Sequence, residues 1–348
     1  MGFDEVMEAA LYDPEWGFYA RGGRAGRRGD FITSAEVGPL FGAVVARALD
    51  RWWQESGSPR PFVVVEAGAG VGTLARSVLA AAPACSAALR YVLVERSAAL
   101  RAEHERGLPS VLPVHAFAAS NEPEDDDEVV SPVPDGPFTV SLEALPPPGS
   151  AHVVLANELL DNLPTRLLER TAQGWAEVFV GEHLEQVLLP TMVEPTIDVA
   201  PGARVAWQEA AAQWLRAALE TGRRVVVLDY MTTTADMGMR PWREWLRTYR
   251  GHERGADVLT DLGSQDITCE VALDQLAAVL EPMRVSDQRS FLIEHGIDEL
   301  VAEGRAVWER GAATGDLAAM RGRSRVREAE ALTDLDGLGA FTVAEWVR

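Results

Sequence analysis

The sequence predicts an α/β fold on a parallel sheet, and three observations carry that prediction. Strands and helices alternate through the first third of the chain, the order that builds a parallel sheet. The strand segments "FVVVEAGAG", "YVLVE", "HVVLAN" and "RRVVVLDY" are continuous apolar runs, not alternating ones, which suits strands covered on both faces. The first of them ends in glycines that lead straight into a helix, the place where open α/β sheets keep their ligands.

In chain order, residues 3–11 place Phe3, Val6, Met7, Ala10 and Leu11 at helical spacing, and Pro14 and Gly17 end that helix. A Gly/Arg loop over 20–30 follows. Thr33 with Glu36 has the spacing of a capping box. It opens a long helix to about Trp53 through Val37, Leu40, Phe41, Val44, Val45, Ala48, Leu49 and Trp52. "ESGSPRP" is a linker. The first strand, a helix over 73–81, a second strand over 91–95 and a helix over 97–106 come next. The third strand is either 111–116 or 138–141, with the second preferred. The segment 165–182 reads as a hairpin turning near Gln173-Gly174. A helix is expected at about 203–220, then the strand "RRVVVLDY". Loops with one short helix near 242–249 fill 231–270, and a helix covers 274–281. "VSDQRSFLIEH" is expected to supply the last strands, and a helical tail the rest. Three parts result: an N-terminal helical segment (1–57), an α/β core (58–298) and a helical tail (299–348). The core carries an acidic loop at about 120–137, the hairpin, and a lid-like region over 231–270.

With 348 residues the chain can bury a large core, and 47% apolar residues is ordinary for a globular protein. All 32 basic residues are arginine, and the formal net charge of −21 argues against sequence-independent binding to nucleic acid and against an anionic membrane surface. No apolar run has the length of a membrane span, and the first residues, MGFDEVMEAALYDP, lack the basic start of a signal peptide. Cys85 and Cys269 suggest no disulfide framework, so a reducing cytoplasm is expected. The six histidines show no metal-ligand spacing, and no metal is expected.

"VVVEAGAGVGT" is the main chemical signal. Gly68, Gly70 and Gly72 let a ligand approach the backbone between strand and helix. Without a ligand they would form only a tight turn. Glu66 stands just before them, and a carboxylate is unwelcome beside a phosphate. It suits the sulfonium and ammonium of S-adenosylmethionine (SAM), which carries no phosphate. Glu95 closes the second strand, where a carboxylate bridges ribose hydroxyls in nucleotide sites, whether the ligand is NAD or SAM.

The segments "ALYDPEWGFYA", "GRRGDFITSAEVGPLFG", "VVVEAGAGVGTLA", "YVLVERS", "LANELLDNLP", "GWAEVFV", "VVVLDY", "GSQDITCEV" and "QRSFLIEHGID" occur in the order seen in the MidA-like family of SAM-dependent methyltransferases, which the chain resembles over roughly 11–298. The resemblance implies a Rossmann-like class I methyltransferase fold with a mostly parallel seven-stranded sheet and additional helical elements. For a mitochondrial member of the family it implies arginine methylation of a respiratory-complex subunit. It also implies that Gly29, Asp30, Phe31, Thr33 and Ser34 line the methionine end of the cofactor. With Glu66, Gly68, Gly70, Gly72, Thr73, Glu95, Ser141, Leu142 and Asn157 these make the expected cofactor set.

The reactive end is expected in "ANELLDN". Asn157, Glu158 and Asp161 follow an apolar strand. Glu158 and Asp161 would share a face if a helix starts there, where acids are also common as mere decoration of a helix N-terminus. Two carboxylates suit a guanidinium: they hold it by bidentate bonds, orient one nitrogen and help its proton leave. The resemblance adds Asp266 and Thr268; Asp229 and Tyr230 end a strand and face the same chemistry. The expected function is SAM-dependent methyl transfer to an arginine of a protein substrate, by a monomer or homodimer, leaving S-adenosylhomocysteine. The alternatives are N- or O-methylation of a small molecule and a SAM-binding assembly protein without turnover. An NAD-dependent oxidoreductase is the weakest rival.

Overall fold

The computed structural model describes residues 1–23, 33–109, 113, 135–251, 253–255, 257–313 and 316–348. The chain forms two compact units. One, the sheet unit, comprises Thr33–Asn157, Glu220–Leu228 and Arg284–Arg348; the other, the inserted unit, comprises Met1–Ile32, Glu158–Leu219 and Asp229–Met283. Among the described residues no helix is long and apolar enough to cross a membrane.

The sheet unit is built on a seven-stranded sheet. Its strands are β1 (Phe62–Ala67), β2 (Leu89–Val94), β3 (Phe138–Leu142), β4 (Ala151–Asn157), β5 (Gly222–Asp229), β6 (Arg284–Asp287) and β7 (Thr342–Val347). Their spatial order is β6-β7-β5-β4-β1-β2-β3. β1, β2, β3, β4 and β5 pair in parallel, and β6 runs antiparallel to β7. Every residue of β1 and β2 is buried, as their unbroken apolar runs require. The helix Pro39–Glu55 begins with proline at its first turn, where the missing N–H costs nothing. It buries Leu40, Phe41, Val44, Val45, Ala48, Leu49 and Trp52 in the core with Val64, Tyr91 and Leu155. Each such side chain contributes about 1.5–3 kcal/mol on burial. Glu328, buried on the helix Leu317–Leu332, accepts the Leu40 amide at 2.9 Å and so caps this helix from 288 residues away.

The inserted unit is a layer of short antiparallel sheets. Strands 186–190, 174–180, 166–171 and 204–207 lie side by side in that order, and 253–254, 246–250 and 266–269 form a second sheet. Its core joins Phe3, Met7 and Leu11 of the helix Phe3–Tyr12 to Leu167, Val178, Trp245 and Ile267.

Several expectations are corrected. The third strand is Phe138–Leu142, the preferred choice; the alternative at 111–116 and the acidic run 120–134 lie outside the described residues. Thr33 makes no side-chain capping bond: its carbonyl accepts the Glu36 amide at 2.9 Å, and the Glu36 carboxylate accepts the Thr73 hydroxyl at 2.6 Å. The expected long helix is interrupted at Gly38, which sits against Glu328. "QRSFLIE" is not strand: Asp287 ends β6 and accepts the Ser290 amide, starting the helix Gln288–Glu294. The seventh strand comes from "TVAEWV", inside the expected helical tail, because six residues of mixed type buried on both faces carry no periodic signal. Residues 204–207, expected as helix, are a strand held by pairing to 166–169. Likewise 246–250 and 266–269 form strands within the expected loop region, through pairing that skips many residues.

Candidate functional site

In the sheet unit, the turn after β1 is made of residues in left-handed backbone. Gly68, Gly70 and Gly72 have φ of 69°, 55° and 82°, a region that side chains with a Cβ enter only at a cost. Gly72 caps the helix Thr73–Ala80. At Gly70 a Cβ would meet no heavy atom within 4 Å, so the turn is open where a ligand would lie. Glu95 follows β2 and accepts the amides of Gly70 at 3.0 Å and Ser97 at 2.8 Å, one at each oxygen. Burial raises its pKa above the ordinary value, and the two amides oppose that. Each oxygen keeps a lone pair for a hydroxyl donor.

His104 completes this turn, and sequence reasoning assigned it nothing. Its Nε2 lies 2.8 Å from the Gly70 carbonyl and its Nδ1 2.8 Å from the Ser141 hydroxyl. Burial lowers its pKa, favouring the neutral ring. A carbonyl only accepts, so Nε2–H donates to Gly70 and Ser141 donates to Nδ1. The Leu142 carbonyl accepts the Glu95 amide. Thr73 is in the first turn of the helix, tied to Glu36. Glu66 is fully buried and accepts the Tyr91 hydroxyl at 2.8 Å, and burial lifts its pKa to about 7. The carboxylate expected to await a cation is therefore already hydrogen-bonded by a strand neighbour and only partly charged at neutral pH.

The residues fit SAM. The turn carries glycines where the backbone is open, a ribose-type carboxylate, and a second acid that would repel a phosphate. Of the set expected over the methionine end, Gly29, Asp30 and Phe31 lie outside the described residues. Thr33 is described and nearly buried. Ser34 is fully buried and its hydroxyl donates to Gln288 Oε1 at 2.8 Å, in the helix Gln288–Glu294.

The inserted unit holds a different arrangement. Glu158, Asp161, Asp229 and Asp266 gather there, and the Asp161 carboxyl is destabilised as an anion by burial and by the other three. Glu158 has φ of 53°, left-handed for a side chain that disfavours it, and it is half-buried. It lies outside the single turn Leu160–Asn162, so it does not share a helix face with Asp161 as the three-residue spacing suggested. Asp229 is fully buried and accepts the amides of Leu160 at 2.9 Å and of Tyr230 at 2.9 Å. Bonds from the Asp161 and Leu159 amides also act on it, while burial lifts its pKa to about 7. It thus shapes the turn that carries Asp161. Asp266 is fully buried, with Tyr19 OH at 3.2 Å and Asn162 Nδ2 at 3.1 Å from its Oδ1. Tyr19 stacks on Tyr12, ring centroids 5.3 Å apart. Asn157 closes β4 and is followed directly by Glu158. Thr268 lies in the strand Asp266–Cys269, and Cys269 is fully buried with its thiol pushed well up.

Asp161 is 5% exposed, and its Oδ1 finds no hydrogen-bond partner among the described residues. Among the described residues no group of histidine, cysteine and acidic side chains has the arrangement of a metal site. Carboxylates so placed can accept N–H donors from a cation. Tyr19 and Asn162 stood in the quoted motifs without a role. Nothing in their spacing connects them to Asp266, which is 247 and 104 residues away.

Comparison with known proteins agrees with this geometry. A family model described as "Putative S-adenosyl-L-methionine-dependent methyltransferase" matches residues 44–287, well over half of the chain. The mouse protein arginine methyltransferase NDUFAF7, mitochondrial, is 28% identical over 331 residues, covering 84% of this chain and 70% of the mouse protein. The human protein of the same name is also 28% identical, covering 84% and 69%. A crystal structure of a Burkholderia thailandensis protein described as a "likely methyl transferase", bound to S-adenosyl-homocysteine, superposes with a TM-score of 0.77 at 26% identity. It covers 100% of this chain and 88% of that one.

Proposed function

The chain belongs to this MidA-like family of S-adenosyl-L-methionine-dependent methyltransferases, and from that premise we propose that its methyl acceptor is an arginine guanidinium of a protein. The observation that carries the reading is the buried acidic cluster of the inserted unit, with the Asp161 Oδ1 left without a partner among the described residues. The name of the mouse and human relatives supports the same acceptor.

Bound SAM supplies an electrophilic methyl group on a positively charged sulfur. The work of this chain's own residues is to present the nucleophile. A guanidinium is charged at all ordinary pH values and its nitrogens are poor nucleophiles until a proton is drawn off. Glu158 and Asp161 accept N–H bonds from it, fix its plane and aim one nitrogen. A carboxylate of the pair receives the proton that the reacting nitrogen gives up. Asp229, Asn162 and Tyr19 hold the pair and Asp266 in place. In the sheet unit, Glu95 and the glycine turn hold the ribose end of the cofactor.

The test is transfer of tritiated methyl from SAM into extract, split into protein and small-molecule fractions, with acid hydrolysis of labelled protein. Methylarginine in a protein band, lost with Glu158→Gln, is the expected result. Label confined to small molecules would move the acceptor out of protein, and label on another amino acid would remove arginine. SAM binding without any labelled product would leave the chain an assembly protein.

A further inference from the structure

We propose that the outer edge of the strand Gln186–Pro190 is an interface for a second copy of this chain, joined by antiparallel strand pairing about a twofold axis at Leu188.

Gln186–Pro190 is the outermost strand of the sheet that also holds 174–180, 166–171 and 204–207, and among the described residues no strand pairs with its far side. An edge strand with one open face normally alternates apolar and polar residues. This one does not. Val187, Leu188 and Leu189 are consecutive and 40%, 41% and 41% exposed, and Leu184 at 45% and Met192 at 99% extend the patch. Successive side chains of a strand take opposite faces, so Leu188 lies on one face and Val187 and Leu189 on the other. Exposed apolar edges are templates for pairing, which proteins otherwise blunt with charge. No charged residue stands within Gln186–Pro190.

The backbone fixes which groups are on offer. The strand pairs with its neighbour as Val180↔Gln186, Phe179↔Val187, Val178↔Leu188, Glu177↔Leu189 and Ala176↔Pro190. The Gly181 amide donates to the Glu185 carbonyl at 2.9 Å, so that pair faces inward. Alternation from there turns Val187 and Leu189 inward and Gln186, Leu188 and Pro190 outward. Proline therefore stands where its missing N–H costs the sheet nothing. About a twofold axis at Leu188, the Leu188 N–H donates to the Leu188 carbonyl of the second copy and receives the reciprocal bond. Each Gln186 N–H donates to the Pro190 carbonyl opposite.

A twofold interface sets a patch against itself, so the patch must complement itself. Here Val187 meets Leu189, Leu188 meets Leu188 and Leu184 comes beside Met192, apolar against apolar throughout. A stable interface takes about 800 Å² from each partner, and these five side chains supply roughly half of it. The charged and titratable residues flanking the strand are Glu182, His183, Glu185 and Glu194. Glu185 falls opposite Thr191 and His183 opposite Val193. Glu182 falls opposite Glu194 at the two ends, a repulsion that salt screens.

The experiment is sedimentation of the full chain over about 1–100 μM, with cysteine cross-linking to read the register. A reversible dimer with a dissociation constant on the order of micromolar is expected, tightening as salt rises from about 0.05 to 0.5 M. Leu188→Arg sets two guanidiniums face to face and should weaken the dimer at least about tenfold, with S-adenosylhomocysteine binding kept as the check of folding. On mild oxidation Leu188→Cys should give a disulfide-linked dimer, since the paired Cα atoms would be about 5.5 Å apart. The native Cys85 and Cys269 are buried and do not compete. Val187→Cys should not link to itself, but should link to Leu189→Cys when the two variants are mixed. A chain that stays monomeric overturns the proposal and makes a strand of another protein the candidate occupant. A dimer indifferent to Leu188→Arg overturns it by placing the contact on another surface. Self-linking of Val187→Cys with none at Leu188→Cys overturns the register. If Leu188→Arg does not fold, the cross-linking pattern decides by itself.

Discussion

The glycine turn of the sheet unit and the acidic turn of the inserted unit are both short loops that follow strands, and they are built on opposite electrostatic terms. Around Gly70 the polar groups are satisfied by one another: Glu95 takes two amides, and His104 joins a carbonyl to a hydroxyl. Around Asp161 four carboxyls stand together. The first turn has its polar groups paired without a ligand, the arrangement expected of a preorganised site. The second gathers acids whose ionisation is opposed by burial and by one another, and the proposed cationic acceptor would be held there by charge-assisted hydrogen bonds. A fold can hold such a cluster only where the backbone over-determines it, and Asp229, reading four successive or adjacent amides, is the device that does so.

The sharpest way to break this comparison is to neutralise the acidic turn. Glu158→Gln and Asp161→Asn should each lower methyl transfer by about 10²–10⁴-fold, with S-adenosylhomocysteine affinity unchanged by calorimetry. Asp161→Asn should leave the melting temperature near neutral pH almost unchanged, because burial and the neighbouring acids already favour the uncharged carboxyl; a large fall would show that Asp161 is ionised in the free protein.

The complementary change is made in the other turn. Gly70→Val places a side chain in left-handed backbone and in the open space above the turn. It should cost about 1–2 kcal/mol of stability and weaken S-adenosylhomocysteine by tenfold or more. Unchanged cofactor affinity would mean that the ligand does not pass over Gly70.

Stability should also depend on pH with an unusual sign. Glu66 and Asp229 have folded pKa values lifted to about 7, against about 4 when unfolded. Between those limits the folded state holds more protons, so stability is greatest near the lower limit and declines as pH rises through 7. Urea unfolding at pH 5 and pH 8 should differ by on the order of 5 kcal/mol, about 2–3 kcal/mol from each group. Asp229→Asn should shrink that difference. Glu294, lowered to about 2 by Arg284 and Arg51, works in the opposite sense only below its ordinary range, so the two windows are separate.

The smallest effect is expected from Ser141→Ala. It removes one donor to His104 and should cost about 0.5–1.5 kcal/mol of S-adenosylhomocysteine affinity. A loss of catalysis at saturating cofactor would point to a role beyond the turn.

The elements that were legible in the sequence are those whose signal is local. β1, β2, β4 and β5 are unbroken apolar runs, and the glycines at 68, 70 and 72 announce the turn that only glycine enters without strain. The hairpin 166–180 was legible from its turn residues. β7 was not, since "TVAEWV" is recruited into the sheet by pairing with β6, and its own six residues resemble many segments. Glu36 and Thr33 show the limit of motif reading: the spacing is that of a capping box, yet Glu36 is drawn away by Thr73 in another helix. Ser34, a cofactor candidate on the resemblance, also bonds Gln288, a contact that no spacing in the sequence announces.

By itself the sequence showed the glycine turn, the acids at 158 and 161, and the apolar runs that become the parallel strands, while Asp266 entered through the family resemblance. These depend on backbone sterics and on contiguous apolar patterning, which act over a few residues. The tertiary structure alone decided which of those groups are charged. A carboxyl's ionisation depends on the neighbours and water that the fold brings or excludes. Tyr91 reaches Glu66, and the chain brings Asp229 and Asp266 to Asp161 from 68 and 105 residues further on. No spacing rule connects such residues.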